Sequence, residues 1–292
     1  MRLHLVDGTY ELFRAHYSKR PPLVSPEGHD VKATAGLASS MLWLLEDPSE
    51  EVTHVGIAFD NPIESFRNEL FRGYKTGKGM DEALLAQFDF AEEAAAALGM
   101  VVWSMDRFEA DDALATAARS WRDQVEQVRI LTPDKDLGQC VVGTRVVQVD
   151  RMRERVIDED GVWARNGVDP ASIPDYLALI GDAADGIPGV PGFGAKTAGA
   201  LLTCYGTVEA IPDDAEKWEV KVRGAPRLAA TLAGMRDDVA LYKRLATLIE
   251  DVPLPESLAD LEWCGVPRDR FLALCDELGS QSLRDRPVRW AG

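Results

Sequence analysis

The chain has 292 residues, of which 46% are hydrophobic, and a formal net charge of −17. This composition excludes global disorder and fits one large domain, or one domain with a smaller appendage. No apolar run reaches the roughly 20 residues of a membrane-spanning helix, and no signal peptide pattern begins the chain, so we expect a cytoplasmic protein without a membrane partner. The acidic charge disfavours a nucleic-acid partner but does not exclude one, because local basic patches can persist on an acidic protein.

The first half of the chain alternates strand-like and helix-like patterns. Short apolar runs rich in Val, Ile and Leu occur at 2–6, 52–59, 100–103, 128–131 and 145–149. Helical periodicity occurs between them at 33–45, 82–98 and 110–121. This alternation predicts an α/β domain with a doubly wound, mostly parallel sheet.

The strand-like runs fade near Pro170. Helical patterns joined by Gly and Pro turns follow at 173–180, 196–204, 226–235 and 239–248, with a later one at 268–278. We therefore predict an α/β domain over 1–168, a helical subdomain over 169–252, and a C-terminal segment over 253–292 that packs on the core.

Acidic residues follow several of the predicted strands or begin the next helix. They are Asp7, Asp60, Glu109, Asp111, Asp112, Asp134 and Asp136. Taken singly, each is better explained as a helix cap or a turn residue. Ligand sites of open α/β sheets lie beyond the carboxyl ends of the strands, so these acids should converge. Together they would repel one another without cations, and all-oxygen ligands select Mg²⁺ or Mn²⁺, here as two ions about 4 Å apart.

A further acidic pair lies in the stretch LIGDAADGIPG. Asp182 and Asp185 are three residues apart, a spacing that places both side chains on one side of a helical turn. Viewed alone, the pair fits a helix-terminating turn as well as it fits a metal site.

The stretch GVPGFGAKT, which begins at Gly189, looks at first like a nucleotide-binding loop. The P-loop pattern requires Lys where Ala195 stands and a preceding strand, which is absent, so this interpretation fails. The dinucleotide fingerprint fails too, because Thr197 occupies its third glycine position. A glycine hairpin between two helices remains, either a plain structural turn or a grip on a nucleic-acid backbone through free helix N–H groups.

Taken together, these motifs resemble the 5′-nucleases related to flap endonucleases, especially the 5′-nuclease domain of bacterial DNA polymerase I. The resemblance covers essentially the whole chain in order. The matching stretches are LVDG, AFD, SFRNELFRGYK, FEADD, LTPDKDL and GDAADGIPGVPGFGAKTA. It implies a PIN-like domain with a helix–three-turn–helix element, and a stand-alone, monomeric 5′-3′ exonuclease and flap endonuclease. The expected partners are 5′ flaps, nicks and duplexes with a 5′ single strand.

The resemblance also implies roles for particular residues. The metal-site positions are Asp7, Asp60, Glu109, Asp111, Asp112, Asp134, Asp136, Asp182 and Asp185. Lys75 and Arg67 match catalytic positions, with Lys75 stabilising the scissile phosphate. The DNA-binding positions are Tyr74, Lys78, Gly192, Gly194, Lys196 and Thr197. Tyr74 is expected to orient the substrate as an aromatic stacking partner, and a K⁺ ion is expected at the hairpin.

Some positions depart from the family pattern. Lys78 stands where relatives usually have Arg, and Gly138 replaces a usual aromatic residue. The segment 79–106, which resembles the arch over single-stranded flaps, has acidic residues but no Lys or Arg. Much of this acid is better explained as a solvated helix face, but it still disfavours flap threading. Two other functions remain open: a junction-binding protein with little catalysis, and a phosphatase that uses Asp134 or Asp136 as its nucleophile.

Overall fold

The computed structural model describes residues 1–292. The chain divides into two units. The first consists of Met1–Ser65, Gly77–Thr132 and Glu250–Gly292, and the second of Phe66–Thr76 and Pro133–Ile249. The domain bounds expected from the sequence stay a prediction.

Both units contain β-structure. The strands are β1 (Arg2–Asp7), β2 (His54–Asp60), β3 (Val101–Met105), β4 (Gln127–Leu131), β5 (Val146–Asp150) and β6 (Arg155–Ile157). In the first unit the order is β3-β2-β1-β4, and all neighbours are parallel. In the second unit β5 and β6 form an antiparallel hairpin. The predicted α/β class with mostly parallel strands is confirmed, and β2 is buried along its whole length, as a covered parallel strand should be.

Thirteen helices complete the fold. They are α1 (Gly8–His16), α2 (Lys32–Glu46), α3 (Phe66–Leu70), α4 (Glu82–Leu85), α5 (Phe88–Ala97), α6 (Ala110–Trp121), α7 (Glu159–Asn166), α8 (Ile173–Ile180), α9 (Ala195–Tyr205), α10 (Ala225–Gly234), α11 (Arg236–Ala246), α12 (Arg268–Leu278) and α13 (Gln281–Arg284). None of them has the length and apolar composition needed to cross a bilayer. Helices α8 to α11 confirm the predicted helical region.

The structure breaks one predicted helix in two. The pattern at 82–98 forms α4 and α5, which are separated at Ala86 and Gln87. The Gln87 side chain is buried, and its oxygen accepts hydrogen bonds from the backbone N–H groups of Ala33 and Thr34 at 3.0 and 3.1 Å. These donors lie in the first turn of α2, where no intrahelical acceptor is available. Gln87 therefore caps a second helix, a role that no local pattern reveals.

The core of the second unit anchors the glycine hairpin. Val190 and Phe193 are buried in an apolar cluster with Leu177 of α8, Leu201 of α9 and Leu245 of α11. The N–H of Val190 donates to the carbonyl of Leu179 at 2.8 Å. The hairpin, which we define as residues 192–197, is thus anchored to α8 through Val190 just before it, while Gly192 and Gly194 remain exposed.

Candidate metal centre and nucleic-acid interface

The predicted acids are divided between the two units. The first unit holds Asp7, Asp60, Glu109, Asp111 and Asp112, and the second holds Asp134, Asp136, Asp182 and Asp185. The convergence of all nine into one site stays a prediction.

Asp7 and Asp60 lie at the carboxyl ends of neighbouring parallel strands, as expected. Asp7 ends β1 and caps α1, because one carboxylate oxygen accepts from the N–H of Tyr10 at 2.8 Å. Its other oxygen accepts from the hydroxyl of Thr132 at 2.9 Å. Asp60 ends β2, and its Oδ1 accepts from the N–H of Ala110 at 2.7 Å. Both carboxylates are buried and held in fixed orientations at this sheet edge.

The acids at the start of α6 also have structural roles. Glu109 and Asp112 form a capping box, in which Asp112 Oδ2 accepts from the N–H of Glu109 at 3.0 Å. The hydroxyl of Ser65 donates to Glu109 Oε1 at 2.7 Å. Asp111 lies half-buried in the same helical turn. Capping accounts for the positions of Glu109 and Asp112, while a metal-binding role for all three acids stays a prediction.

Three of the predicted acids form a compact cluster in the second unit. Oxygen atoms from the carboxylates of Asp136, Asp182 and Asp185 all lie within 4.8 Å of one another. Asp136 begins a 3₁₀ turn after residues 133–135, and we call residues 133–136 the acid loop. Asp134 is exposed and lies outside the cluster, where its Oδ1 accepts from the N–H of Asp136 at 3.0 Å.

The turn that carries Asp182 and Asp185 is not helical, contrary to the expectation from their spacing. Gly181 has a φ of +81° and ends α8, and Asp182 then forms a two-way backbone pair with Ile187 at 2.8 Å. A left-handed φ of this kind terminates a helix and is easily adopted by glycine. The two carboxylates still face one cluster, because the loop between Asp182 and Ile187 turns Asp185 back toward Asp182.

The electrostatics of the cluster favour a bound cation. Burial, followed by the negative charges of Asp134, Asp185 and Asp182, raises the pKa of Asp136 well above its ordinary value. Asp136 Oδ1 is buried and has no hydrogen-bond partner. A buried oxygen without a donor is costly, and an all-carboxylate set is the ligand type that hard divalent cations prefer. The residues therefore fit a hard divalent cation.

Two lysines face the cluster. Lys75 Nζ lies 3.1 Å from Asp185 Oδ1, and the Lys75 N–H donates to the Asp185 carbonyl at 2.9 Å. Lys135 Nζ lies 2.8 Å from Asp182 Oδ2. Burial lowers the pKa of Lys135, but the hydrogen bond and charge of Asp182 outweigh it and raise the pKa overall. The sequence analysis assigned no role to Lys135, although its position between Asp134 and Asp136 indicated that it lies near the predicted metal site.

A glycine brings the Lys75 segment close to the acidic turn. A Cβ atom at Gly186 would lie 2.1 Å from the Gly73 carbonyl oxygen, so no side chain fits at this position. Gly186 also has a φ of +76°, which disfavours other residues. The close approach places Lys75 beside Asp185.

Arg67 and Tyr74 are both buried in the second unit. The Arg67 side chain is 1% exposed and donates from Nε and Nη2 to the carbonyls of Leu245 and Thr247, at 2.8 and 3.0 Å. It therefore holds the end of α11, and its expected catalytic role stays a prediction. Tyr74 is 4% exposed, and its ring centroid lies 5.8 Å from Lys75 Nζ. The buried ring lies against Lys75, and its expected stacking on a substrate base stays a prediction.

The hairpin offers a helix N-terminus without competing negative charge. Gly192 has a φ of +91°, whereas Gly194 has an ordinary φ of −122°. Gly194 is the N-cap of α9, and the first turn of α9 contains neither a side-chain cap nor an acid. Lys196 is exposed and Thr197 is half-buried in that turn. These features suit an incoming phosphate.

Lys78 is exposed in the first unit. Its expected contact with DNA stays a prediction.

Comparisons with known proteins agree with this geometry. Residues 2–167 match the family model "5′-3′ exonuclease, N-terminal resolvase-like domain", and residues 168–269 match "5′-3′ exonuclease, C-terminal SAM fold". A 5′-3′ exonuclease of Aquifex aeolicus is 31% identical over 96% of this chain and 93% of its own length. DNA polymerase I of Bacillus subtilis is 32% identical over 98% of this chain, which spans only 32% of that polymerase.

One solved structure similar to this chain is the flap endonuclease of bacteriophage T5, in a pseudo-enzyme-product complex with DNA and metal ions. It superimposes with a TM-score of 0.63 at 19% identity, and the match covers 98% of this chain and 96% of the T5 chain. This likeness establishes a shared fold.

Proposed function

Because the chain belongs to the 5′-3′ exonuclease family, a family of metal-dependent nucleases, we propose that it hydrolyses DNA phosphodiester bonds at 5′ flaps, nicks and 5′ single strands. The observation that carries the proposal is the buried, unpartnered Oδ1 of Asp136 inside a cluster of three carboxylates. The bacterial relatives support action in the cytoplasm on chromosomal DNA, and we propose a monomer.

Two groups of residues are proposed to hold Mg²⁺ or Mn²⁺. The first comprises Asp136, Asp182 and Asp185 with Asp134 beside them, and the second comprises Asp7, Asp60, Glu109, Asp111 and Asp112. When bound, two such ions supply an activated water and stabilise the leaving oxygen. The rigid hydrogen bonds of Asp7 and Asp60 keep these carboxylates oriented.

Lys75 is proposed to be the catalytic cation. Its ammonium group is half-buried next to Asp185 and is held there by the backbone bond to the Asp185 carbonyl. In this position it can donate to a phosphate oxygen at the metal centre, where negative charge increases in the transition state. Tyr74 and Arg67 act by holding the Lys75 segment and the end of α11, and neither needs to touch DNA.

The hairpin is proposed to bind the duplex backbone, with Gly192, Gly194, Lys196 and Thr197 as its contacts and K⁺ as an accompanying ion. Lys78 is proposed as an additional phosphate contact. Contacts of this type position DNA without reading its sequence, and their strength falls as salt rises.

Substituting Gly194 with Val tests the hairpin. A Cβ atom at Gly194 meets no atom within 4 Å and its φ is ordinary, so the fold should tolerate the change. The new side chain would instead obstruct close approach of a phosphate, and we expect duplex affinity to fall about tenfold, or 1.4 kcal/mol. Fluorescence anisotropy with labelled duplex in EDTA measures this effect.

Gly234→Val is the matched control, because Gly234 also has open space at Cβ and an ordinary φ, but lies at the end of α10. It should leave affinity unchanged. Wild-type affinity in Gly194→Val would contradict the role of the hairpin.

The proposed reaction is tested with 5′-labelled flap, nicked, blunt and single-stranded DNAs in Mg²⁺, Mn²⁺ and EDTA. We expect cleavage of flap and nicked substrates in either metal and none in EDTA, because the carboxylate clusters need cations to act. Binding of flap DNA without cleavage in both metals would support a junction-binding protein instead. Cleavage in EDTA would contradict the metal-dependent scheme.

A further inference from the structure

Two residues that no motif identified hold the acid loop through its backbone carbonyls. Gln148 lies on β5 and is fully buried, and its Nε2 donates to the carbonyl of Asp134 at 2.5 Å. Arg165 lies in the last turn of α7, and its Nη2 donates to the carbonyl of Lys135 at 3.3 Å. Its Nη1 lies 3.5 Å from the carbonyl of Pro133. Three consecutive carbonyls of the loop therefore point toward two side chains.

The two side chains also bind each other. Arg165 Nη2 donates to Gln148 Oε1 at 3.2 Å, so the amide of Gln148 is used on both sides. A guanidinium has five donors in a planar fork, and can bond one side chain and two carbonyls at once. Since Gln148 pairs with Ile157 in the β5–β6 hairpin, this arrangement connects the acid loop to β5 and α7.

Gly138 provides the space for the Arg165 fork. A Cβ atom at Gly138 would lie 3.3 Å from Arg165 Nη2 and 3.6 Å from Gln148 Oε1. The first distance is tighter than most contacts of real Cβ atoms, so a side chain there requires the guanidinium to shift by a few tenths of an ångström. The fork is therefore packed against the 3₁₀ turn that begins with Asp136.

The positive charge of Arg165 interacts with nearby acidic residues. Burial lowers the pKa of Arg165, while the nearby charges of Asp134, Asp136 and Asp150 raise it. The guanidinium stays protonated in any case, so a permanent positive charge lies behind the acid loop. This charge offsets part of the repulsion that Asp136 experiences from the other carboxylates.

We propose that Arg165 and Gln148 are positioning residues, which hold the acid loop so that the Asp136 carboxylate is aligned with Asp182 and Asp185 for metal binding. The inference rests on the proposed metal-dependent cleavage and adds residues that set the affinity of the site. Groups that orient metal ligands from behind typically change metal affinity or activity about 10–100-fold when they are removed.

The test measures Mn²⁺ binding to the full-length protein without DNA, by electron paramagnetic resonance titration of free Mn²⁺. Arg165→Ala should weaken Mn²⁺ affinity about tenfold or more and lower kcat by a similar factor, with little change in KM for a nicked duplex. Arg165→Lys should recover part of the loss, because an ammonium keeps the charge but cannot span the two carbonyls. Gly138→Val should weaken Mn²⁺ binding in the same direction by displacing the fork.

Arg155→Ala is the matched control, since Arg155 is an exposed arginine on β6 of the same unit. It should bind Mn²⁺ as the wild type does. Wild-type Mn²⁺ affinity in folded Arg165→Ala would overturn the inference, and so would an equal loss in Arg155→Ala. If the wild-type protein binds Mn²⁺ but cleaves no DNA, the proposed reaction fails while the positioning of the acid loop is still tested by the titration.

Discussion

Asp136→Asn is expected to abolish cleavage, with kcat falling at least about 10³-fold, because loss of metal-based stabilisation worth several kcal/mol has that effect. Asp136 is the most deeply buried member of the carboxylate cluster, and its Oδ1 has no hydrogen-bond partner. Asparagine has nearly the same shape but carries no charge. We expect the variant to bind duplex DNA like the wild type, since the proposed hairpin contacts are untouched.

The same substitution should also change thermal stability, because it removes the charge of a buried side chain. The pKa of Asp136 is raised in the folded state by burial and by neighbouring carboxylates. The stability linked to such a group is present below its unfolded pKa and is lost as pH rises through the folded pKa. At neutral pH without metal the fold therefore lacks part of the stability that it has at acidic pH with Asp136 protonated, and Asp136→Asn, whose side chain is neutral at every pH, should raise Tm.

Bound metal should reverse this difference in Tm between the wild type and Asp136→Asn. A ligand at 100 times its Kd stabilises the native state by about 2.7 kcal/mol, so Mg²⁺ should raise the Tm of the wild type and have much less effect on Asp136→Asn. Thermal scans in EDTA and in Mg²⁺ measure both effects. Asp237→Asn, an exposed acid in the first turn of α11, is the control and should behave like the wild type. Full cleavage by Asp136→Asn would disprove the assignment of this cluster.

Lys75→Ala is expected to lower kcat about 10²–10³-fold, the usual effect of removing one preorganised donor from a site of developing negative charge. Lys75 is held beside Asp185 by both its side chain and its backbone. The variant should keep its affinity for duplex DNA, because the hairpin supplies the backbone contacts. Single-turnover cleavage of a nicked duplex, with affinity measured separately in EDTA, tests this separation of kcat from binding.

Metal binding distinguishes Lys75→Ala from Asp136→Asn. Removing the ammonium takes away a cation that competes for Asp185, so Mn²⁺ affinity should stay the same or increase. Removing a ligand should decrease it. Lys221→Ala, an exposed lysine in the second unit, is the control for a lost positive charge. An unchanged kcat in Lys75→Ala would rule out the catalytic role, and a parallel loss of Mn²⁺ affinity would make Lys75 a structural residue.

Local sequence patterns were sufficient for most of the fold. Helices α6, α8 and α12 have the bounds that periodicity predicted, and five of the six strands coincide with apolar runs. Periodicity is a local property, so it is readable wherever one face of an element is buried. The strand β6 was not predicted because it is short, with exposed residues such as Arg155. The helix α1 was not predicted because it begins at Gly8, directly after a strand.

The acidic residues illustrate how far sequence reasoning extends into the site. The order of the motifs identified Asp136, Asp182 and Asp185 together, and the structure places their oxygens in one cluster. The backbone conformation around Asp182 and Asp185 could not be predicted from the sequence. Their spacing of three suggests a helical turn, whereas a backbone pair between Asp182 and Ile187 closes the actual turn. Capping of α6 by Glu109 and Asp112 shows that a structural role and a proposed functional role can be carried by the same side chain.

The sequence by itself determined the element types, the family and the identity of the acids, because these depend on residue type and order along the chain. The tertiary structure decided which polar side chains face the site and which support it. Arg67 looks like a catalytic cation beside Tyr74 and Lys75, yet it bonds to carbonyls 178 and 180 residues away. Arg165 had no motif at all, yet it lies directly behind the acid loop. Such partners are fixed by packing between distant segments, and no local pattern encodes that packing.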